Sequence, residues 1–154
     1  MTTLEPLSYE NVLHIARNMR SADKEEIYAT RWSEQPEDLA HDAMLIPQMC
    51  WTAHRDGRPI AAFGAIPMHP GVWSVWMFAT DEWPLVAITV TKHILKRMIP
   101  SIIRRNEGFQ RAECKSHYLH NVAHRWLEYL GATNESTAYK YGKNGEKFYV
   151  FAWY

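Results

Sequence analysis

Up to about Gln48 the apolar residues of this chain keep a helical spacing; from Cys50 they alternate with a period of two. That change dictates a mixed fold. Strands are predicted over Cys50–His54, Pro59–Pro67 and Val72–Ala79, joined by turns at Asp56-Gly57 and Pro70-Gly71. Upstream, Leu4–Leu7 reads as a short first strand. Ser8 caps a helix that turns Val12, Leu13, Ile15, Ala16 and Met19 inward, and Ser21 caps a second that buries Ile27 and Tyr28. A third helix is expected from about Glu37 to Gln48, with Pro36 near its first turn. Downstream, the longest helix starts near Asp81, capped by Thr80 or Asp81, and runs to about Asn106. Its expected inward stripe is Leu85, Ile88, Ile94, Leu95, Met98, Ile102 and Ile103, with Pro100 kinking or dividing it. A strand (Phe109–Lys115), a helix (Asn121–Leu130) closed by Gly131, and a strand (Thr133–Tyr139) follow. Asn144-Gly145 then turns the chain into a last strand, Lys147–Trp153. This order implies one α/β (α+β) domain over residues 1–154, a mixed, mostly antiparallel twisted sheet of six to seven strands flanked by helices.

Charge and composition remove several function classes. Lys plus Arg and Asp plus Glu both number 17, so no basic excess exists for general nucleic-acid binding. Lys92, Lys96, Arg97, Arg104 and Arg105 do share one helical segment, expected to be a solvated face. Cys50 and Cys114 lack paired spacing, and none of the eight His residues stands in a metal-binding register, so no metal site is expected. No secretory leader or apolar run of about 18 residues occurs, which implies a cytoplasmic chain without a membrane span. Seven Trp and eight Tyr are many for this length; most are expected in the core, and exposed ones are expected to form a surface for a protein partner.

Three features together resemble the GNAT acetyltransferase superfamily. The element order matches over nearly the whole chain. Val72 through Asp81, leading to the helix near Trp83, takes the place of the family's central strand, phosphate loop and helix. Residues His120 to Ala132 resemble its late helix, with Ala123 and Leu130-Gly131 in register. A narrower resemblance is to the small GNAT-like internal virion proteins of short-tailed phages. It rests on Met19, Arg20 and Asp23, on Thr80-Asp81, on Arg125 to Gly131, and on the aromatic strand after a Gly-rich turn, Tyr141 to Trp153.

The superfamily resemblance implies splayed central strands, with the pantetheine arm of acetyl-CoA on the backbone between them and its diphosphate on amides at the mouth of the long helix. Met77, Phe78, Ala79, Thr80, Trp83, Leu85 and Asn121 would then be the cofactor-binding residues. The family's loop uses glycines for close backbone approach. Here Ala79-Thr80-Asp81-Glu82-Trp83-Pro84 has none, Pro84 lacks an N–H, and Asp81 and Glu82 are expected to take the helix-mouth amides themselves. The place of the family's acid Tyr holds Leu127, leaving His117, His120 and Tyr129 as catalytic candidates, with Tyr129 expected in the core. The sequence thus implies a GNAT scaffold with a degenerate acetyl-CoA loop that works as a virion-associated or interaction protein. The alternatives are an active acetyl-CoA-dependent N-acetyltransferase and a binding module acting on a host protein.

Overall fold

The computed structural model describes residues 1–105 and 108–154; Asn106, the expected end of the long helix, lies outside the described residues. Among the described residues seven strands form one sheet: β1 (Thr2–Pro6), β2 (Cys50–Arg55), β3 (Arg58–His69), β4 (Val72–Ala79), β5 (Arg111–His117), β6 (Thr133–Ala138) and β7 (Phe148–Trp153). Their order is β1-β2-β3-β4-β5-β7-β6, and every neighbouring pair is antiparallel except β4 with β5. The β2–β3 turn has Asp56 at φ 49° and Gly57 at φ 80°, the paired positive values of a tight two-residue hairpin.

Helices cover both faces of the sheet. On one side lie α1 (Tyr9–Arg17), α2 (Ser21–Tyr28) and α3 (Pro36–Ala43), where Val12, Ile15 and Leu39 are buried with Phe78. On the other lie α4 (Ala87–His93), a wide turn (Ile94–Met98) and α5 (Ile99–Arg105), which bury Val90, Ile94, Met98 and Ile102 with Phe63. Alternation along β3 and β4 supplies both cores. Helix α6 (Asn121–Tyr129) shares the α4 side: Trp126 donates Nε1–H to Thr91 Oγ1 at 2.9 Å, and its ring meets Trp83 edge-on at 5.3 Å.

Several local expectations need correction. Ser8 caps α1 as read, accepting from the Asn11 N–H at 3.3 Å, but Ser21 is the first helical residue of α2, whose cap position is Arg20. Helix α3 stops at Ala43, short of Gln48. The long helix begins at Ala87 rather than Asp81, after a 3-10 turn at Trp83–Leu85. Of its expected stripe only Ile94, Met98 and Ile102 are buried; Leu85, Ile88, Leu95 and Ile103 are exposed. Leu85 lies in the 3-10 turn before the helix, Ile88 stands about 200° round from buried Val90, and after Ile94 comes a wide turn, in which the Ile99 N–H reaches back five residues to the Ile94 carbonyl. Pro100 has no N–H for the Lys96 carbonyl, so the ordinary winding cannot continue there, and the extra residue keeps Met98 and Ile102 on the face that buries Val90 and Ile94.

Candidate functional site

Parallel strands β4 and β5 pair over only three residues, Val72–Ser74 with Arg111–Glu113. Beyond Ser74 they diverge, and β5 spends its far edge on β7. A cavity of about 630 Å³ fills the gap and passes through the sheet. Asp23 and Glu26 line it on the α2 side, and Met98, Ile102, Trp126 and Leu127 on the other.

Helix α2 spans the open end of this gap. Its sequence, Ser-Ala-Asp-Lys-Glu-Glu-Ile-Tyr, has little apolar stripe, but Asp23 and Glu26 stand three apart and share a face. Asp23 reaches β4: the Ala79 N–H donates to Oδ2 at 2.8 Å, while the Ala79 carbonyl accepts from the Arg20 N–H at 2.9 Å. Glu26 reaches β5, where Oε1 accepts from the His117 N–H at 2.7 Å and from the Ser116 hydroxyl at 2.5 Å. Two carboxylates on one helix thus hold the main chains of two diverging strands.

Asp23 is only 2% exposed and is saturated. Arg20 grips it through Nε at 3.0 Å and Nη2 at 2.9 Å, and His120 Nε2 lies 2.7 Å from Oδ1. A carboxylate only accepts, so His120 presents Nε2–H to it. The Arg20 guanidinium also lies over Trp83, 5.7 Å from the ring centroid. Burial pushes the Glu26 carboxyl above its ordinary range, with the Ser116 hydroxyl, His120 and the His117 N–H opposing in part. Burial also pushes the Cys114 thiol on the cavity wall up to about 12, so it stays protonated and is no nucleophile.

Of the expected catalytic residues only His120 is at the cavity. The His117 ring is committed elsewhere: Nδ1 accepts from the Leu119 N–H at 3.1 Å, and the ring packs on Tyr118 and Phe148. Tyr129 is 73% exposed, which overturns its expected place in the core; it stands on the outer side of α6. Met77 and Phe78 line the cavity, whereas Ala79 does not, its main chain being bonded to Asp23 and Arg20. Thr80 is tied into the sheet through its N–H to Ile60, and Trp83 is buried beneath Arg20. Leu85 is exposed, and Asn121 lines a separate outer groove with Arg20 and Arg125. The carboxylates Asp23 and Glu26, with Ser116, were not singled out as site residues from the sequence, although acids at positions 23 and 26 on a helix with little apolar character were the available signal.

The phosphate-loop expectation needs a different mechanism. Glu82 pairs with Arg58 at 2.6 Å instead of capping the helix, and Asp81 makes no side-chain hydrogen bond among the described residues. No side chain caps α4. Three loop amides are nevertheless taken by loop carbonyls, Trp83 N–H to Thr80 at 3.1 Å, Leu85 N–H to Glu82 at 2.9 Å and Val86 N–H to Trp83 at 3.0 Å, and the Glu82 N–H goes to Thr80 Oγ1 at 3.3 Å. Pro84 supplies none. These four amides are thereby withheld from a diphosphate.

No family model matches the chain, and no match is found among curated proteins. Solved structures do match in fold. The ribosomal-protein-S18-alanine N-acetyltransferase from Escherichia coli has a TM-score of 0.69 at 15% identity, covering 99% of this chain and 92% of that one. The ribosomal-protein-alanine N-acetyltransferase from Brucella melitensis gives 0.72 at 11% identity, covering 98% of each. A GNAT superfamily phosphinothricin acetyltransferase from Sinorhizobium meliloti, solved with AcCoA, gives 0.70 at 13% identity, covering 99% and 87%. The fold is thus that of the GNAT acetyltransferases, with a seven-stranded, mostly antiparallel sheet flanked by helices.

Proposed function

We propose that this chain is a GNAT-fold interaction protein, encoded by a short-tailed phage and carried in its virion, rather than a working acetyltransferase. The observation behind this reading is the α2 bridge. Both main-chain groups of Ala79 and the N–H of His117 are engaged by Arg20, Asp23 and Glu26, so backbone that a pantetheine arm would use is already occupied. The self-bonded loop adds to it. Three of the four segments behind the phage resemblance meet in space. Met19 bridges Thr80, and Arg125 lines one groove with Arg20.

A partner surface accompanies this reading. Lys143 ties the β6–β7 turn to the loop before α3, through its N–H to the Ala29 carbonyl at 2.8 Å and its Nζ to Glu34 at 2.7 Å. Fully exposed Trp32 thereby stands beside the segment holding exposed Tyr139 and Tyr141, and these aromatics would anchor the partner. In the encoding phage, Trp32→Ala should leave the melting temperature within about 1 °C, as an exposed site allows, yet reduce incorporation into purified particles. Unchanged incorporation of that variant, or absence of the wild-type chain from virions, overturns the reading.

His120 favours a second reading, an active acetyl-CoA-dependent N-acetyltransferase with an atypical phosphate contact. Asp23 supplies the orienting partner that a general base needs, and Nδ1 would accept the proton of an attacking amine. Release of free thiol from acetyl-CoA with an amine substrate, lost in His120→Gln, supports it; no thiol release across a panel of amines removes it.

A further inference from the structure

Neither reading uses the outward face of the long helix. From Ala87 to Arg105 the sequence has five basic residues and no acidic one, within a chain of balanced charge, 17 against 17. A solvated face would be polar throughout. Instead, aliphatic side chains stand among the cations: Ile88 is 71% exposed, Ile103 51% and Leu95 40%, between exposed Lys92, Lys96, Arg97 and Arg104. Ile88 and Lys92 each lie two residues from buried Val90, a rotation of about 200° that points them away from the sheet. Leu85, 43% exposed, continues the patch, with Arg55 donating to its carbonyl at 3.1 Å. The acids just before the helix are Asp81 and Glu82, and Glu82 is neutralised by Arg58.

We propose that this face docks on an anionic lipid surface, with Lys92, Lys96, Arg97 and Arg104 at the phosphates and Ile88, Leu95 and Ile103 pressed between the headgroups. Cations interleaved with aliphatic side chains on one helix face are what the headgroup–acyl boundary rewards, through attraction to anionic lipid and removal of apolar surface from water. A phosphate backbone of nucleic acid would use the cations and leave the isoleucines in water. The contact is peripheral, because no helix among the described residues is long and apolar enough to cross a membrane.

Vesicle co-sedimentation at low salt tests this directly. The chain should pellet with a two-to-one mixture of phosphatidylcholine and phosphatidylglycerol, remain in solution with phosphatidylcholine alone, and release as salt rises. Replacing both lysines (Lys92→Gln with Lys96→Gln) should weaken partitioning by more than about tenfold, each cation near an anionic leaflet being worth about fivefold. Ile88→Ser with Ile103→Ser should weaken it while leaving the salt dependence unchanged. All four positions are exposed, so circular dichroism should stay native. Equal binding to neutral vesicles, no binding to anionic ones, or unaltered partitioning of both double variants overturns the proposal. Tighter binding to a DNA duplex than to anionic vesicles at the same salt, or a dimer dissolved by the isoleucine variant without change at vesicles, also overturns it.

Discussion

Asp23 accepts from Arg20, His120 and the Ala79 main chain at once, so removing its carboxylate strands the buried His120 and Ala79 donors beside an unpaired guanidinium. Asp23→Ala should therefore cost about 3–5 kcal/mol in urea denaturation, the range for breaking a buried ion pair by removing one partner. Glu26 acts through pH instead. Its folded carboxyl is raised above the ordinary value of 4.5, so between that value and the folded one the native state holds more protons than the unfolded chain. Its contribution to stability is full below pH 4.5 and is lost as pH rises through the folded value. Burial holds His124 and His93 below their ordinary 6.5, which works in the opposite direction, destabilising the fold as pH falls. The difference between wild type and Glu26→Gln isolates the Glu26 share: the variant should lose the part of the stability–pH curve that falls as pH rises above about 4.5. An unchanged curve would mean that Glu26 titrates alike in folded and unfolded chains.

At the scale of elements, α2 and the long helix show what a sequence reveals and what it withholds. Strand β4 was read at its observed bounds, and the turns at Asp56-Gly57 and Pro70-Gly71 fell where expected, because turn chemistry is local. Helix α2 was read by Ile27 and Tyr28, whereas its role lies in two carboxylates whose partners are more than fifty residues away in sequence. No local pattern reports such partners. The stripe of the long helix was misread at both ends: Ile88 stands two residues, about 200°, from buried Val90, and Ile103 one residue, about 100°, from buried Ile102. A close approach between strands was equally silent. A Cβ on Gly64 of β3 would sit 2.4 Å from Cys50 Sγ and 2.7 Å from the Met49 carbonyl oxygen, so Gly64→Ala must push β2 and β3 apart. Its expected cost is about 1–3 kcal/mol by chemical denaturation; a neutral effect would mean that the two strands yield freely.

For the whole molecule, the order of helices and strands was enough to read the scaffold, while the state of the cleft depended on contacts that only folding creates. His120 was legible as a candidate because a histidine follows β5, but its partner Asp23 precedes it by ninety-seven residues. The loop was legible as glycine-free, but Asp81 and Glu82 do not take its amides as expected; the Trp83, Leu85 and Val86 amides go to the Thr80, Glu82 and Trp83 carbonyls. The resulting molecule keeps the gap between β4 and β5, closes its mouth with α2, and leaves the outer helix face and the Trp32 rim open. The most direct measurement is the melting temperature with and without millimolar acetyl-CoA. On the proposed reading, with Ala79 and His117 held by α2 and three loop amides held by loop carbonyls, no shift should appear. Saturable stabilisation, reaching about 2.7 kcal/mol at a hundredfold excess over the dissociation constant, would contradict it.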